Sequence, residues 1–220
     1  MKNYLKIISV CLLVVACNFN SSTNNNPSNG WWTEEDRKLI ISELNRTTYE
    51  LQSEIDNLSD NQWNFRENIN RWSIAEIVEH LEMQNQLHYR EISVMLNAPQ
   101  HLQFRTITEG QDFFFSKYST DTLRGKAQWF LEPLGRYCSI NDGQAAFYKA
   151  RNELTRLVQQ TEIDLRKQFT FRTPMAGKKI EDIKIGQVRD LHQLLLTGIA
   201  HTDRHLGQIR KIKLNRDYPR

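Results

Sequence analysis

Three histidines occupy positions where a helical protein would bury them. His201 and His205 are four residues apart in an amphipathic segment near the end of the chain, and His80 lies in an earlier segment of the same kind. Residues four apart share one face of a helix, and this face should point into a helical bundle. A buried polar group without a partner costs roughly 1–3 kcal/mol. A divalent metal ion is a partner that three imidazoles can share.

Three imidazoles on one side of an ion form the ligand set of a catalytic zinc site. Two histidines at this spacing have Cβ atoms about 6 Å apart, and a third from another helix completes the set. The position left open holds water, whose pKa the ion lowers toward about 7. An isolated pair of this spacing is more often structural, so packed histidines without metal are the alternative. Thr202 stands where zinc proteases of the H-E-x-x-H class have glutamate, which argues against that class.

Two further side chains lie one helical turn from the candidate ligands. Gln208 follows His205 by three residues, and Glu76 precedes His80 by four. Each could hydrogen-bond a ligand ring or a bound water molecule. Each also has a structural explanation, because Glu76 can complete a helix cap with Ser73 and Gln208 can pack beside a polar site. For Glu76 the capping role is favoured.

The other three histidines are predicted to be structural or solvated. His192 precedes His201 by nine residues, which places it on the opposite helix face, and His88 is rotated from His80 by about 80°. His101 falls in an irregular connection. No serine, cysteine or carboxylate stands out as a nucleophile or base, so catalysis would depend mainly on the ion.

Four long helical patterns must position these side chains, and the predicted fold class is all-α. Their bounds are about Thr33–Asn57, Ser73–Leu96, Asp142–Gln168 and Gln187–Lys213. The first two begin with a hydroxyl residue that can cap the helix and an acidic residue three positions later. Pro and Gly interrupt the connection between the second and third helices, whose length argues against simple up-down-up-down topology. No strand-period pattern of any length is present.

The N-terminal residues are predicted to be a lipoprotein signal peptide, residues 1–17. Two lysines precede an apolar run that is too short for a membrane span of about 20 residues. The sequence Val14–Cys17 matches a lipobox, so Cys17 is predicted to become the lipidated first residue. We therefore expect the protein in the bacterial cell envelope, anchored to a membrane by lipid, with its folded domain outside the cytoplasm.

A flexible tether and one folded domain should follow the lipidated cysteine. Residues 18–30 are rich in Asn and Ser and carry no charge, a composition that cannot bury enough apolar surface to fold. Residues 31–220 suit a single domain with a sizeable core.

The basic character of the chain comes mostly from the signal peptide. The sequence has 29 basic and 26 acidic residues, and two of the basic ones lie in residues 1–17, so processing lowers the net charge from +3 to +1. A basic cluster at residues 210–216 ends the last helix, where cations complement the helix dipole. We expect no nucleic-acid partner, because such proteins usually present a wider basic face.

The segments Trp72–Leu81 and His201–Ile209 resemble, in order and spacing, the DinB-like or YfiT-like family of helical bundle proteins. The resemblance covers most of residues 31–214. It implies a four-helix bundle of up-down-down-up type, with a long connection between helices two and three. It also implies a divalent ion, often zinc or nickel, on His80, His201 and His205.

Three functional hypotheses follow. Some members of the family that this sequence resembles are similar to metal-dependent transferases that join thiols to electrophiles, or to thiol-dependent isomerases. The leading hypothesis is a membrane-tethered metalloprotein, a transferase or hydrolase in which metal-activated water or thiolate attacks a small electrophile. The alternatives are a non-catalytic module that binds metal or a small ligand, and a metal-free bundle with a structural or interaction role. The small-molecule partner is unknown, and a homodimer is left open.

Overall fold

The computed structural model describes residues 31–117 and 127–220, and within these ranges the chain is mainly helical. The predicted signal peptide, Cys17 and the tether lie outside the described residues. The α-helices are α1 Glu34–Ile55, α2 Asp60–Asn64, α3 Ile74–Met95, α4 Arg105–Thr108, α5 Asp112–Lys117, α6 Ile140–Gln160 and α7 Leu191–Lys213. The strands are β1 Phe169–Phe171 and β2 Val188–Asp190. Among these helices, none is long and apolar enough to cross a membrane.

The helices α1, α3, α6 and α7 form the bundle, and α1 and α7 run parallel to each other. Arg46 of α1 forms a bidentate ion pair with Asp203 of α7, at 3.0 and 2.9 Å. Towards the C-terminal ends of the same helices, Lys213 donates to the Glu54 carboxylate at 2.9 Å. Arg46 precedes Glu54 in α1, and its partner Asp203 precedes Lys213 in α7. The two helices therefore run in the same direction.

The other two bundle helices run in the opposite direction. Gln144 near the start of α6 donates to Asp56 just after α1 at 3.2 Å, so α1 and α6 are antiparallel. His80 near the start of α3 meets His201 of α7, whereas the later His88 lies against the earlier Gly198, so α3 and α7 are antiparallel. The topology is therefore up-down-down-up, and the predicted four-helix bundle is confirmed.

Side-chain caps define where the two histidine-bearing helices begin. Ser73 accepts a hydrogen bond from the Glu76 backbone N–H at 3.2 Å, and Asp190 does the same for Gln193 at 2.8 Å. In both caps the side chain of the later residue accepts from the backbone of the capping residue, which completes a capping box. Such a cap contributes about 1 kcal/mol and fixes the first turn of each helix.

The segment between α6 and α7 differs from the prediction. The third long helix ends at Gln160 rather than Gln168, and the fourth begins at Leu191 rather than Gln187. Within this segment, β1 and β2 pair as a short antiparallel hairpin, with Phe169 opposite Asp190. Each strand has three residues, too few for a period-2 pattern to be visible in the sequence. Phe169 and Val188 nevertheless bury their side chains in a small separate core with Phe104 and Ile183.

A polar layer divides the bundle interior into two apolar halves. One half includes Ile40, Ile92, Leu154 and Leu194. The other includes Leu51, Ile77, Phe147 and Ile209. Between them, buried, lie Thr47, His88, Arg151 and Thr202. Arg151 donates to the Thr202 hydroxyl at 3.0 Å, its Nε has no hydrogen-bond partner, and burial lowers its pKa to about 10.

The close approach of α3 and α7 depends on Gly198. A Cβ at this position would lie 2.7 Å from two atoms of the buried His88 ring, nearer than packed side chains allow. Gly207, on the same helix, has open space where a Cβ would be.

The Gly198→Ala change should therefore destabilise the protein by roughly 1–3 kcal/mol, since the methyl group overpacks the α3–α7 contact. The matched change Gly207→Ala should stabilise it by up to about 1 kcal/mol, because alanine is the better helix former. Urea unfolding of both variants measures the difference. A Gly198→Ala variant as stable as Gly207→Ala would show that this glycine does not set the helix spacing.

Candidate metal centre

The three predicted ligands come together between α3 and α7. Nε2 of His201 lies 2.9 Å from Nε2 of His80 and 3.1 Å from Nε2 of His205. One nitrogen from each ring lies within 4.8 Å of the others, a grouping that could hold a metal ion. Nitrogens around a tetrahedral zinc, at 2.0–2.1 Å from it, are about 3.3 Å apart. Small ring movements would therefore admit an ion.

Hydrogen bonds on the far side of two rings determine which nitrogen faces the centre. Nδ1 of His80 donates to the backbone carbonyl of Leu131 at 2.7 Å, and Nδ1 of His205 donates to Oε1 of Gln208 at 2.8 Å. With these protons on Nδ1, the Nε2 atoms of both rings carry lone pairs directed at His201. A single proton on Nε2 of His201 can form a good hydrogen bond with only one of these two lone pairs, whereas a cation can be bound by all three nitrogens.

The surroundings of all three rings favour the neutral imidazole. Burial lowers the pKa of His80, and burial together with His80 and Arg204 lowers the pKa of His201 to about 3. Burial and the neighbouring rings hold the pKa of His205 well below its ordinary value. The charge of Arg204 contributes in the same direction for each ring. Neutral imidazole is the form that binds metal.

Trp72 forms a wall behind two of the rings. Its ring centroid lies 4.9 Å from that of His80 and 6.2 Å from that of His205, to which it is nearly parallel. Trp72 directly precedes the cap of α3, so the capping box also positions this side chain. A ligand ring packed on a rigid aromatic surface has little freedom to rotate away from the centre.

A loop anchored by Glu79 delivers the Leu131 carbonyl to His80. The Glu79 carboxylate is 1% exposed and accepts backbone hydrogen bonds from Leu134, Gly135 and Arg136 at 2.8, 2.9 and 3.0 Å. The Arg136 guanidinium adds an ion pair at 2.9 Å. Gly135 has φ +74°, which favours glycine in this turn. Burial alone would raise the pKa of Glu79, but these hydrogen bonds outweigh it and the pKa is lowered.

The two side chains predicted near the ligands have different roles. Gln208 contacts His205, as described above. Glu76 uses Oε2 in the capping box with Ser73 and Oε1 in an ion pair with Arg66 at 2.6 Å. Both Glu76 oxygens are thus occupied, and the contacts support the capping role rather than a bond to His80.

Of the remaining histidines, His88 lines the same cavity as the three candidate ligands but does not belong to their group, and His101 and His192 are not part of the cavity lining. His192 is buried and accepts a hydrogen bond from the Trp32 indole at 3.2 Å, and His101 is exposed. His88 is buried and accepts from the Gln84 amide at 2.7 Å. These contacts agree with structural or solvated roles.

The three rings line an open cavity of about 1840 Å³. Small-molecule sites commonly have volumes of about 300–1,000 Å³, so the space admits a small ligand together with water. Its wall also includes Trp72, Arg204 and several residues of the segment 127–133. Sequence spacing could have indicated Arg204, which follows His201 by three residues and so lies next to it on the helix surface. A backbone carbonyl such as that of Leu131 leaves no signal in the sequence.

The sequence over residues 43–209 matches the family model of the DinB superfamily. The chain belongs to the DinB superfamily. The matched range contains all three histidines of the centre. It also contains all of α3 and α6, and α7 up to residue 209. The resemblance inferred from the two short histidine segments is thereby confirmed at the level of the family.

The fold of this DinB protein is also found in a solved structure, that of YfiT from Bacillus subtilis. The two structures superpose with a TM-score of 0.52 at 13% sequence identity, over 82% of this chain and 87% of that one. YfiT is described as a probable metal-dependent hydrolase with an unusual four-helix bundle topology. At this identity the likeness concerns the fold. Among curated proteins, none matches this chain.

The Glu79→Gln change should loosen the loop that supports His80 and lower the free energy of unfolding by roughly 1–3 kcal/mol. Because the pKa of Glu79 is lowered in the folded protein, its contribution is present above about pH 4.5 and is lost as the pH falls through the folded pKa. The difference between wild type and variant should shrink accordingly in acid.

Denaturant titrations at several pH values measure this difference. Glu162→Gln, at an exposed position, is the matched control and should change stability by less than about 0.5 kcal/mol. Equal stability of Glu79→Gln and Glu162→Gln at neutral pH would contradict the anchoring role.

Proposed function

We propose that this protein is a lipid-anchored DinB metalloprotein that holds a divalent ion, zinc or nickel, on His80, His201 and His205 and hydrolyses a small electrophilic substrate. The observation that carries the proposal is the convergence of three Nε2 atoms at the edge of an open cavity. Imidazole nitrogens suit both metals. The description of YfiT as a probable metal-dependent hydrolase supports the reaction class.

The chain's own residues would orient the reaction. His80 and His205 keep their Nε2 lone pairs toward the centre because Leu131 and Gln208 accept their Nδ1 protons. A divalent ion in this position supplies Lewis acidity and lowers the pKa of water. Three protein ligands leave a coordination position for water or substrate, as catalytic sites require. A thiolate in place of water would give the transferase reaction.

One observation favours a second candidate, a binding module without turnover. In the described part of the chain, no carboxylate oxygen lies within 4.0 Å of a nitrogen of the three rings, so no carboxylate of these residues contacts the candidate ligands directly. A module of this kind would hold metal or a small ligand at the cell envelope.

We further propose that Cys17 is lipidated and residues 18–30 tether the domain to a membrane of the cell envelope. The support is the basic start, short apolar run and lipobox of the first 17 residues.

The purified wild-type protein should contain about one divalent ion per chain, and His201→Ala should contain none. Removing the ion with a chelator should lower the wild-type free energy of unfolding by about 4 kcal/mol, the value for a metal present at a thousand times its Kd. Elemental analysis and chelator titrations measure both quantities. His101→Ala, which removes an exposed histidine, should behave as wild type. If His201→Ala matches wild type in metal content and chelator response, the histidines pack without metal.

Zinc-loaded protein should hydrolyse an activated ester such as 4-nitrophenyl acetate faster than the metal-free protein does. His205→Ala should lower kcat/KM on the order of 100-fold, which corresponds to losing about 2.7 kcal/mol of transition-state stabilisation. His101→Ala again serves as the control. A metal-loaded protein with no turnover of esters, and none of a thiol with an electrophile, would support the binding module instead.

Cells that express the full chain should incorporate labelled palmitate into it and recover it in the membrane fraction, because Cys17 carries the acyl group. Cys17→Ala should remove the label and move the folded domain to the soluble fraction. Cys138→Ala, a change at the exposed free cysteine, should leave both unchanged. Label retained in Cys17→Ala would contradict lipidation at this position.

A further inference from the structure

The cavity beside the three histidines has an excess of positive charge. Six of its described lining residues are arginine or lysine and four are glutamate. Some of these charges are neutralised in two ion pairs. Arg66 pairs with Glu76 at 2.6 Å, and Arg189 pairs with Glu91 at 3.7 Å. A cavity with charges of one sign in excess concentrates ligands of the other sign.

Arg204 is the cation beside the candidate metal centre. It lies on α7, three residues after His201 and one before His205, and it lines the same cavity as the three ligand rings. Its Nε is shielded from solvent without a hydrogen-bond partner.

Arg204 differs in its partners from Arg46 and Arg210, two other arginines on the surface of the bundle. Arg46 and Arg210 each bind at least two carboxylates. Among the residues that the structure describes, Arg204 has neither an ion pair nor a side-chain hydrogen bond. A guanidinium group presents planar N–H donors whose geometry matches the oxygens of a carboxylate or a phosphate. At Arg204, no described side chain uses these donors, so they can bind such a group from a ligand.

We propose that Arg204 binds an oxyanion group of the substrate, a carboxylate or a phosphate, directly beside the three histidines. This assignment deepens the proposed function and rests on it for the identity of the reacting centre. A divalent ion on three neutral imidazoles, with Arg204 adjacent, would place at least three positive charges together. Among the described residues, no carboxylate forms an ion pair with Arg204 or with one of the three rings. An anionic substrate supplies the missing negative charge. The protein is thus a catalyst for small anionic molecules.

Isothermal titration of the full-length protein with inorganic phosphate tests the assignment in both metal-free and zinc-loaded forms. The metal-free form isolates the contribution of Arg204, because phosphate can also bind zinc directly. Arg204→Gln should raise the phosphate Kd about tenfold or more in the metal-free form, as expected for a lost charge-assisted hydrogen bond. Arg90→Gln, an exposed change of equal charge on α3 outside the cavity, should stay within about twofold of wild type.

Two further measurements keep the outcomes distinct. Arg204→Lys retains the charge and should bind phosphate more tightly than Arg204→Gln, which excludes a general folding defect as the cause. Elemental analysis of each variant after zinc loading tests the metal site separately. Wild type without zinc but with Arg204-dependent phosphate binding would defeat the proposed metalloprotein and leave the oxyanion site standing. Equal phosphate Kd values for wild type and Arg204→Gln, or no phosphate binding by metal-free wild type, would overturn the oxyanion site.

Discussion

Three imidazoles face one another inside this bundle, and their Nε2 lone pairs need a hydrogen-bond donor or a cation as a partner. Two rings are committed through their Nδ1 protons, since Leu131 and Gln208 accept them. The third, His201, can offer at most one proton toward two nitrogens that lie 2.9 and 3.1 Å away. A divalent cation resolves this conflict for all three rings at once. Much of the surrounding structure serves to keep the rings in that arrangement.

The helices achieve this by close packing and by defined ends. Gly198 allows α7 to approach α3 beside His88, and capping boxes fix the first turns of both helices. Trp72 packs behind two rings, while Glu79 folds the 131–136 loop so that a backbone carbonyl reaches His80. The polar layer around Arg151 adjoins this region and separates two apolar cores. A buried polar layer of this kind favours one register of the helices over others.

The resemblance of the two histidine segments to the DinB-like family implied the up-down-down-up topology. The sequence itself predicted the helical class and the meeting of the three histidines, because helical periodicity places His201, His205 and Gln208 on one face and His80 on an inward stripe. It did not predict the Leu131 carbonyl or the anchoring by Glu79, since both depend on a loop folded against α3 from about fifty residues away. The hairpin before α7 was missed because three-residue strands are too short to show alternation. Glu76 illustrates a true ambiguity, because one carboxylate spacing suits both a cap and a ligand contact, and the ion pair with Arg66 decides it.

X-ray absorption at the zinc edge of the zinc-loaded protein tests the shared cation most directly. Convergence of the three Nε2 atoms predicts scattering from three imidazoles with nitrogens at about 2.0–2.1 Å, and two imidazoles in His80→Ala. A spectrum that contains fewer than three imidazoles in the wild-type protein, or that is unchanged in His80→Ala, would contradict a cation held by both helices.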